Sequence, residues 1–291
     1  MRARALSQLP DYEFVERLGK GAHATISLAI HRPTRQRYAV KHIVRRGAED
    51  ERFIRQAETE YDVATKCEHA YLRRCHELVR VRKWLRTTEL FLVMEYVDGD
   101  TLEHQCPDKL DAIVRIFMQV AEGLAAMHKA GFAHADIKPN NILLTESGLK
   151  IIDFGQSCPL GHRKERVQGT PDYMAPEQVL RDKIDHRTDV FNLGATMYWV
   201  VTGKAFKTLM QTAPTGTKMI QLESRRGNDP PHELNPQVPL AFSRLILECC
   251  ETSPEARPRD MRDVIARLDV VMHLLNRDGG EDASRAPAVR R

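Results

Sequence analysis

Apolar residues in the first third of the chain occur in short runs that are typical of β-strands. Residues 14–15 lead into a glycine turn, and residues 26–29 and 38–40 continue on its far side. Residues 90–94 form one continuous apolar run, as a fully buried strand does. Residues 52–66, in contrast, are charged and helical in character. The pattern predicts a β-rich N-terminal part that contains one helix.

Beyond residue 98 the apolar residues recur at helical spacing. Residues 190–201 and 242–250 are two apolar helical stretches. A third segment has apolar side chains at steps of three and four residues. These side chains are Ile113, Phe117, Val120, Leu124 and Met127. We therefore predict an α+β fold in two lobes, with a small β-rich N-lobe and a larger α-helical C-lobe. A cleft between two such lobes is a natural ligand site.

The boundary between the lobes falls near residues 96–99, where Asp98-Gly99-Asp100 is a turn signal. We predict an N-terminal tail over residues 1–11, an N-lobe over residues 12–97 and a C-lobe over residues 98–275. Residues 276–291 are polar and have no periodic apolar face, so we predict that they form a disordered tail.

Composition and charge narrow the class of protein. The chain has 291 residues, of which 42% are hydrophobic and 29% charged, as in an ordinary globular protein. Its net charge is only +4, and the basic runs at 45–46, 73–74 and 163–164 are interleaved with acids. This pattern favours solvated faces over nucleic-acid binding. No stretch approaches the roughly 20 apolar residues that a membrane span needs.

The six cysteines include no C-x-x-C pair, which favours reduced thiols and a cytoplasmic location. The sequence gives no indication of the oligomeric state.

Two features of the N-terminal part suggest phosphate chemistry. Gly19 and Gly21 lie two residues apart between strands, and a turn without Cβ atoms lets backbone N–H groups approach phosphate oxygens. An ordinary hairpin turn explains these glycines equally well. Lys41 ends an apolar strand that follows the turn by one strand and one loop, and from there its ammonium group would reach phosphates held under the turn. A solvated strand end is the plain alternative.

Three motifs in the second part are more specific. His-Ala-Asp-Ile-Lys-Pro-Asn-Asn occupies residues 134–141, and Asp-Phe-Gly at 153–155 follows an apolar strand. Gly-Thr-Pro-Asp-Tyr-Met-Ala-Pro-Glu occupies residues 169–177. With the glycine turn and Lys41, these motifs resemble those of eukaryotic-type (Hanks-type) serine/threonine protein kinase catalytic domains, in the same order. The resemblance covers residues 12 to about 275.

The resemblance implies that the chain transfers the γ-phosphoryl group of Mg-ATP to serine or threonine hydroxyls of protein substrates. Lys41 would bind the α- and β-phosphates, with Glu60 holding the lysine and Glu58 as the runner-up for that role. Asp136 would orient the substrate hydroxyl and accept its proton, and Lys138 would neutralise the γ-phosphate.

The resemblance also assigns residues to the metal, the nucleotide and the fold. Asn141 and Asp153 would supply oxygen ligands to Mg²⁺. Glu177 with Arg257, His134 with Phe154, and Asp189 would have structural roles. The nucleotide would contact Gly19, Gly21, Ala24, Ile26, Ala39, Lys41, Met94, Glu95, Val97 and Leu143.

Two positions depart from the family pattern. Ala24 replaces the third glycine of the loop, which predicts weaker or slower nucleotide binding. Ala135 precedes Asp136, where many members have an arginine that grips a phosphate on the activation segment. That segment, residues 153–177, holds only Ser157 and Thr170 as aliphatic hydroxyls. We therefore predict that activation does not depend on phosphorylation of this segment.

Two alternatives to a protein kinase stay open. A pseudokinase would keep the fold as a nucleotide-binding or protein-binding scaffold, although Lys41, Asp136, Asn141 and Asp153 are all present. A small-molecule kinase would phosphorylate a metabolite, although residues 169–177 resemble the segment that binds protein substrates. Phosphate transfer to a protein distinguishes an active protein kinase from both.

Overall fold

The computed structural model describes residues 8–20, 23–212, 218–220 and 227–284. Its N-terminal part is a five-stranded antiparallel sheet with the strand order β1-β2-β3-β5-β4. The strands are β1 (Tyr12–Lys20), β2 (Ala24–His31), β3 (Arg37–Val44), β4 (Cys75–Lys83) and β5 (Arg86–Glu95). Helix α1 (Glu51–Lys66) packs on one face of the sheet. The predicted strands and the predicted first helix are confirmed.

Alternation along the strands sends side chains to two different layers. In β3, Ala39 and Ile43 lie on the face that packs against α1, whereas Val40 lies on the opposite face. Lys41 has the same parity as Ala39 and Ile43, so its side chain also lies on the α1 face. Buried residues of β5 divide in the same way between the two layers. The twofold period of one strand therefore brings the predicted phosphate-binding lysine towards the helix.

The C-terminal part is mainly helical, and the predicted α+β, two-lobed architecture is confirmed. Apolar residues of α2 pack in one large core, on the helical face that the sequence predicts. The central helix α4 is buried on nearly every side, which explains its continuous apolar sequence. The helices are α2 (Leu110–Lys129), α3 (Pro176–Leu180), α4 (His186–Thr202), α5 (Pro231–Leu234), α6 (Leu240–Cys249) and α7 (Met261–Ser284).

Short strands organise the loops of this lobe. A three-stranded sheet has the order β6-β8-β9, and two-stranded pairs join β7 to β10, β11 to β12 and β13 to β14. The strands are β6 (Asp100–Thr101), β7 (Phe132–Ala133), β8 (Ile142–Thr145), β9 (Gly148–Ile151), β10 (Cys158–Pro159), β11 (His162–Arg163), β12 (Lys183–Ile184), β13 (Met210–Thr212) and β14 (Lys218–Ile220). No helix in the described ranges is long and apolar enough to cross a membrane.

Packed or helical residues lie within both of the predicted tails, and the predicted domain bounds stay predictions. Leu9 is 2% exposed and packs with Tyr12 against the sheet. Helix α7 continues to Ser284, whereas the sequence predicted disorder from residue 276. A helix that is anchored by buried residues such as Val271 extends through backbone hydrogen bonds and needs no further apolar face. Residues 1–7 and 285–291 lie outside the described residues.

A buried ion pair holds the C-lobe together. Arg257 binds both carboxylate oxygens of Glu177 at 2.8 and 2.9 Å, and the two residues are 4% and 7% exposed. Thr188 donates a further hydrogen bond to this carboxylate at 2.8 Å. Arg257 also donates to the carbonyl oxygens of Glu251 and Arg187. The predicted pair between Glu177 and Arg257 is confirmed.

We expect the substitution Arg257→Met to lower the free energy of unfolding by about 3–5 kcal/mol, because it leaves a buried carboxylate without its cation. Urea denaturation measures this loss. The matched control is Arg37→Met, which removes an exposed pair with Asp98 and should cost less than about 1 kcal/mol. Equal losses from the two substitutions would contradict the assigned role of the buried pair.

Candidate active site

The amine of Lys41 lies 2.7 Å from the Oε2 atom of Glu60. Glu60 is fully buried because it shares the inner face of α1 with Ile54, Ala57 and Val63 at three-residue steps. Glu58, the runner-up from the sequence, instead bonds Arg80 at 2.7 Å near the surface. The geometry therefore brings Lys41 together with Glu60 and not with Glu58.

Arg73 is a second cation on the same carboxylate. Its Nη2 atom donates to the Oε1 atom of Glu60 at 2.7 Å, and the residue is 8% exposed. The sequence predicted a solvated face for the run Arg73-Arg74, which is correct for exposed Arg74 and wrong for Arg73. The reason is that a buried carboxylate with two acceptor oxygens accommodates two cations. A backbone bond from Arg73 to Ile151 at 3.0 Å also ties this position to the C-lobe.

Asp153 lies opposite these cations, with its Oδ1 atom 3.9 Å from the amine of Lys41. The backbone of Asp153 is left-handed, with φ at +64°, a conformation that short polar residues tolerate best. Burial raises the pKa of Asp153, but the positive charges of Lys41, Arg73 and Lys138 outweigh burial and hold the pKa below its usual value. The Asp153 carboxylate therefore stays ionised at neutral pH.

Burial lowers the pKa of Lys41, but the negative charges of Glu60 and Asp153 and the hydrogen bond that Lys41 donates to Glu60 outweigh it. The pKa of Lys41 is consequently raised above its usual value. Lys41 thus carries a positive charge at the face of the cleft, where a polyanion would meet it.

Asp136 is held from two directions by neighbouring side chains. Its Oδ1 atom accepts hydrogen bonds from the backbone and the hydroxyl of Thr170, both at 3.0 Å. Its Oδ2 atom accepts from the amine of Lys138 at 3.1 Å, and that amine also donates to the Thr170 hydroxyl at 2.6 Å. Asp136 and Lys138, which the sequence assigns to one site, do lie together, and Thr170 joins them.

Asp189 anchors the loop that carries Asp136. Its carboxylate accepts the backbone N–H groups of His134 and Ala135 at 2.8 and 2.7 Å and a side-chain bond from His128 at 2.8 Å. Burial raises the pKa of Asp189, but the hydrogen bond from His128 and the neighbouring histidines and amides hold the pKa below its usual value. His134 also packs edge-on against Phe154, with ring centroids 5.6 Å apart.

Predicted metal-binding residues are adjacent through their backbones. The backbone N–H of Ile152, which precedes Asp153, donates to the carbonyl oxygen of Asn141 at 2.9 Å. The amide nitrogen of Asn141 donates to the carbonyl oxygen of Asp136 at 2.8 Å, which leaves its amide oxygen as a candidate ligand. In the described part of the chain no cluster of three or more His, Cys, Asp or Glu side chains could hold a metal alone. The two oxygen donors fit Mg²⁺, which usually takes one or two protein ligands and completes its shell with phosphates and water.

A cavity of about 360 Å³ lies between the lobes at these residues. Its lining includes Ala24, Lys41, Asp136, Lys138 and Asp153, so it corresponds to the predicted phosphate end of the nucleotide site.

Among the described residues that are predicted to contact the nucleotide, Ala24 and Lys41 line this cavity and the others do not. In the sheet, Ala39 pairs with Met94 and Ile26 pairs with Lys41, while Leu143 lies in β8. Gly19 is the second-to-last residue of β1 and has open space beside it, whereas Gly21 lies outside the described residues. The Glu95 side chain pairs with Lys150 at 3.0 Å, and Val97 lies in the segment between the lobes. The contacts of the predicted residues with a nucleotide stay predictions.

The fold and the site together define a two-lobed domain in which a lysine of the sheet faces two loop aspartates across a cleft. Residues 12–267 match the family model described as the protein kinase domain, and the chain belongs to this family. Members of the family use ATP together with a divalent metal ion.

Relatives with similar sequences are named as serine/threonine kinases. A probable serine/threonine-protein kinase of Clostridium acetobutylicum is 28% identical over 279 residues, which cover 93% of this chain and 41% of that protein. The serine/threonine-protein kinase drp72 of Corynebacterium efficiens is 28% identical, with 97% and 51% covered. The serine/threonine-protein kinase cds1 of Schizosaccharomyces pombe is 30% identical, with 86% and 56% covered. This chain therefore spans about half the length of these relatives.

Arg73→Gln should lower the free energy of unfolding by about 1.5–3 kcal/mol, because it removes a charge-assisted hydrogen bond to the buried Glu60. Chemical denaturation measures the loss. Arg74→Gln is the matched control in the adjacent exposed position and should change stability by less than about 0.5 kcal/mol. If Arg73→Gln costs no more than Arg74→Gln, the buried bridge is not a stabilising contact.

Proposed function

We propose that this chain is a serine/threonine protein kinase that transfers the γ-phosphoryl group of Mg-ATP to hydroxyls of protein substrates. The observation that carries the proposal is the convergence of Lys41, Asp136, Lys138 and Asp153 on one interlobe cavity. Phosphoryl transfer requires mainly alignment of the reactants and neutralisation of dense negative charge. The amines of Lys41 and Lys138, which lie beside the carboxylates of Asp153 and Asp136, match that requirement.

In this proposal each side chain acts through contacts already described. Lys41, fixed by Glu60, would bind the α- and β-phosphates, and Lys138 would neutralise the γ-phosphate. Mg²⁺ held by Asn141 and Asp153 would neutralise further charge on the phosphate oxygens. Asp136 would orient the substrate hydroxyl and accept its proton, since its carboxylate is already held by Thr170 and Lys138.

We further propose that the activation segment needs no phosphate to hold its position. Strand β10 pairs with β7 and strand β11 pairs with β12, so the segment is tied to the lobe at two places. Cys158 of the segment packs in a buried apolar cluster with Ala133, Ala135 and Ile184. The methyl group of Ala135 therefore contributes to an apolar anchor at the position where many family members have a phosphate-binding arginine.

Polar contacts extend this anchor along the segment. Lys164 donates to the carbonyl oxygen of Gln156 at 2.5 Å, and Arg163 pairs with Asp182 at 2.9 Å. No observation in the described ranges favours the pseudokinase alternative. The cytoplasmic location and the absence of a nucleic-acid partner stay predictions from the sequence.

Transfer of labelled phosphate from ATP to a serine/threonine peptide library in the presence of Mg²⁺ tests the proposed activity. We expect the wild-type chain to label peptides and Asp136→Asn to lower kcat by about 10²- to 10⁴-fold, because the substrate hydroxyl loses its proton acceptor. Nucleotide binding should persist in this variant. Wild-type chain that binds Mg-ATP but labels no peptide or protein would support a pseudokinase instead.

The same assay on phosphatase-treated protein tests the activation segment. The rate should be unchanged, within about twofold, after treatment and in Ser157→Ala, with intact mass confirming that no phosphate remains. An inactive dephosphorylated chain whose activity returns with one phosphate in the segment would overturn this part of the proposal.

A further inference from the structure

The tip of the hairpin between β4 and β5 exposes two large apolar side chains. Lys83 pairs with Arg86 across the strands, so the loop consists of Trp84 and Leu85 alone. Trp84 is 92% exposed and Leu85 is 99% exposed, the largest values among the exposed large hydrophobic residues of the described chain. Neither residue contributes to a hydrophobic cluster of the fold.

The backbone at the tip is also unfavourable for the residue that occupies it. Trp84 has φ at +59°, a left-handed conformation that glycine and asparagine adopt readily and that is an outlier for a bulky side chain. Two-residue hairpin loops usually place those small residues at such positions. The stability of the fold therefore explains neither the choice of Trp84 nor its exposure. Backbone strain at such a residue points to a function at the tip.

Three cations surround the apolar pair. Arg82, Lys83 and Arg86 are all exposed, and within the described chain none of them has a recorded ion pair or side-chain hydrogen bond. Arg80, two residues further from the tip than Arg82, is paired with Glu58. Residues 82–86 thus form a projecting tip of two apolar side chains and three cations.

We propose that residues 82–86, which we call the basic tip, dock this chain onto an anionic membrane surface. Tryptophan prefers the boundary between lipid headgroups and acyl chains, and the arginine and lysine side chains next to it reach anionic headgroups while their stems stay apolar. Each basic residue close to an anionic leaflet strengthens binding by roughly fivefold. A peripheral contact of this kind needs no membrane-spanning helix.

The size of the tip favours a lipid surface over a protein partner. A stable protein–protein interface buries about 800 Å² on each side, which is more than a loop of two residues and its neighbours presents. Binding to an anionic lipid surface requires only apolar side chains that insert between the lipids and cations that contact the headgroups. The basic tip has both kinds of side chain.

The position of the tip leaves the catalytic cleft accessible. Strand β5 runs ten residues from Arg86 to Glu95, where the interlobe segment begins, and this length corresponds to about 33 Å. Docking through the tip would hold the domain at the membrane without covering the cleft.

Sedimentation with vesicles tests the proposal. The wild-type chain should bind vesicles of phosphatidylcholine with about one third phosphatidylserine and should not bind vesicles of phosphatidylcholine alone. Trp84→Asn combined with Leu85→Ala should weaken binding at least tenfold, whereas Val270→Ala, at another exposed apolar residue, should leave it unchanged. Trp84→Asn should keep or raise Tm, because asparagine tolerates the left-handed backbone.

Charge variants separate the tip from the net charge of the protein. Arg82→Gln with Lys83→Gln should weaken binding about 25-fold. Lys109→Gln with Lys129→Gln, which removes the same charge from exposed positions of the C-lobe, should weaken it less than about twofold. Added salt should weaken the wild-type interaction.

Tryptophan fluorescence gives an independent readout. The chain has two tryptophans, and the other one, Trp199, lies in α4. Anionic vesicles should shift the emission to shorter wavelength in the wild type and not in Trp84→Asn. Three results would overturn the proposal. They are no binding of the wild-type chain to anionic vesicles, equal binding to neutral and anionic vesicles, and an equal loss of vesicle affinity in the two double charge variants.

Discussion

The buried carboxylate of Glu60 bridges two cations, and the arrangement of charge in the cleft depends on it. It bonds Lys41 at 2.7 Å on one oxygen and Arg73 at 2.7 Å on the other. A carboxylate that is fully buried is tolerated only when it is paired and hydrogen-bonded. The bridge therefore connects α1 to β3 and to the segment that precedes β4, and it holds Lys41 at 3.9 Å from Asp153.

A second constraint operates on the other side of the cleft. Asp189 fixes the backbone around Ala135, and Thr170 fixes the carboxylate of Asp136. In both cases a carboxylate accepts direct hydrogen bonds from neighbouring groups of the chain. The cleft is consequently assembled by contacts within the chain, and Cys158 of the activation segment packs in an apolar cluster with Ala133, Ala135 and Ile184.

The sequence predicts the strands and helices whose apolar residues recur in a regular pattern. Strands and helices with continuous apolar patterns are correct. Glu60 and its runner-up Glu58 come from the spacing of the family motifs and not from periodicity, and the structure places Glu60 on the inner face of α1. The burial of Arg73 could not be predicted from the sequence, because it depends on the buried partner Glu60, which lies elsewhere in the sequence. Strand β4 is not predicted either, because it lies at the sheet edge and its charged residues interrupt the apolar alternation.

The most direct test of the bridge is a double-mutant cycle on kcat for peptide phosphorylation with Lys41→Met and Glu60→Gln. If Glu60 acts by holding Lys41, the double variant should be no slower than Lys41→Met alone, within about threefold. Losses that multiply would show that the two residues act independently and would contradict the central role of the bridge.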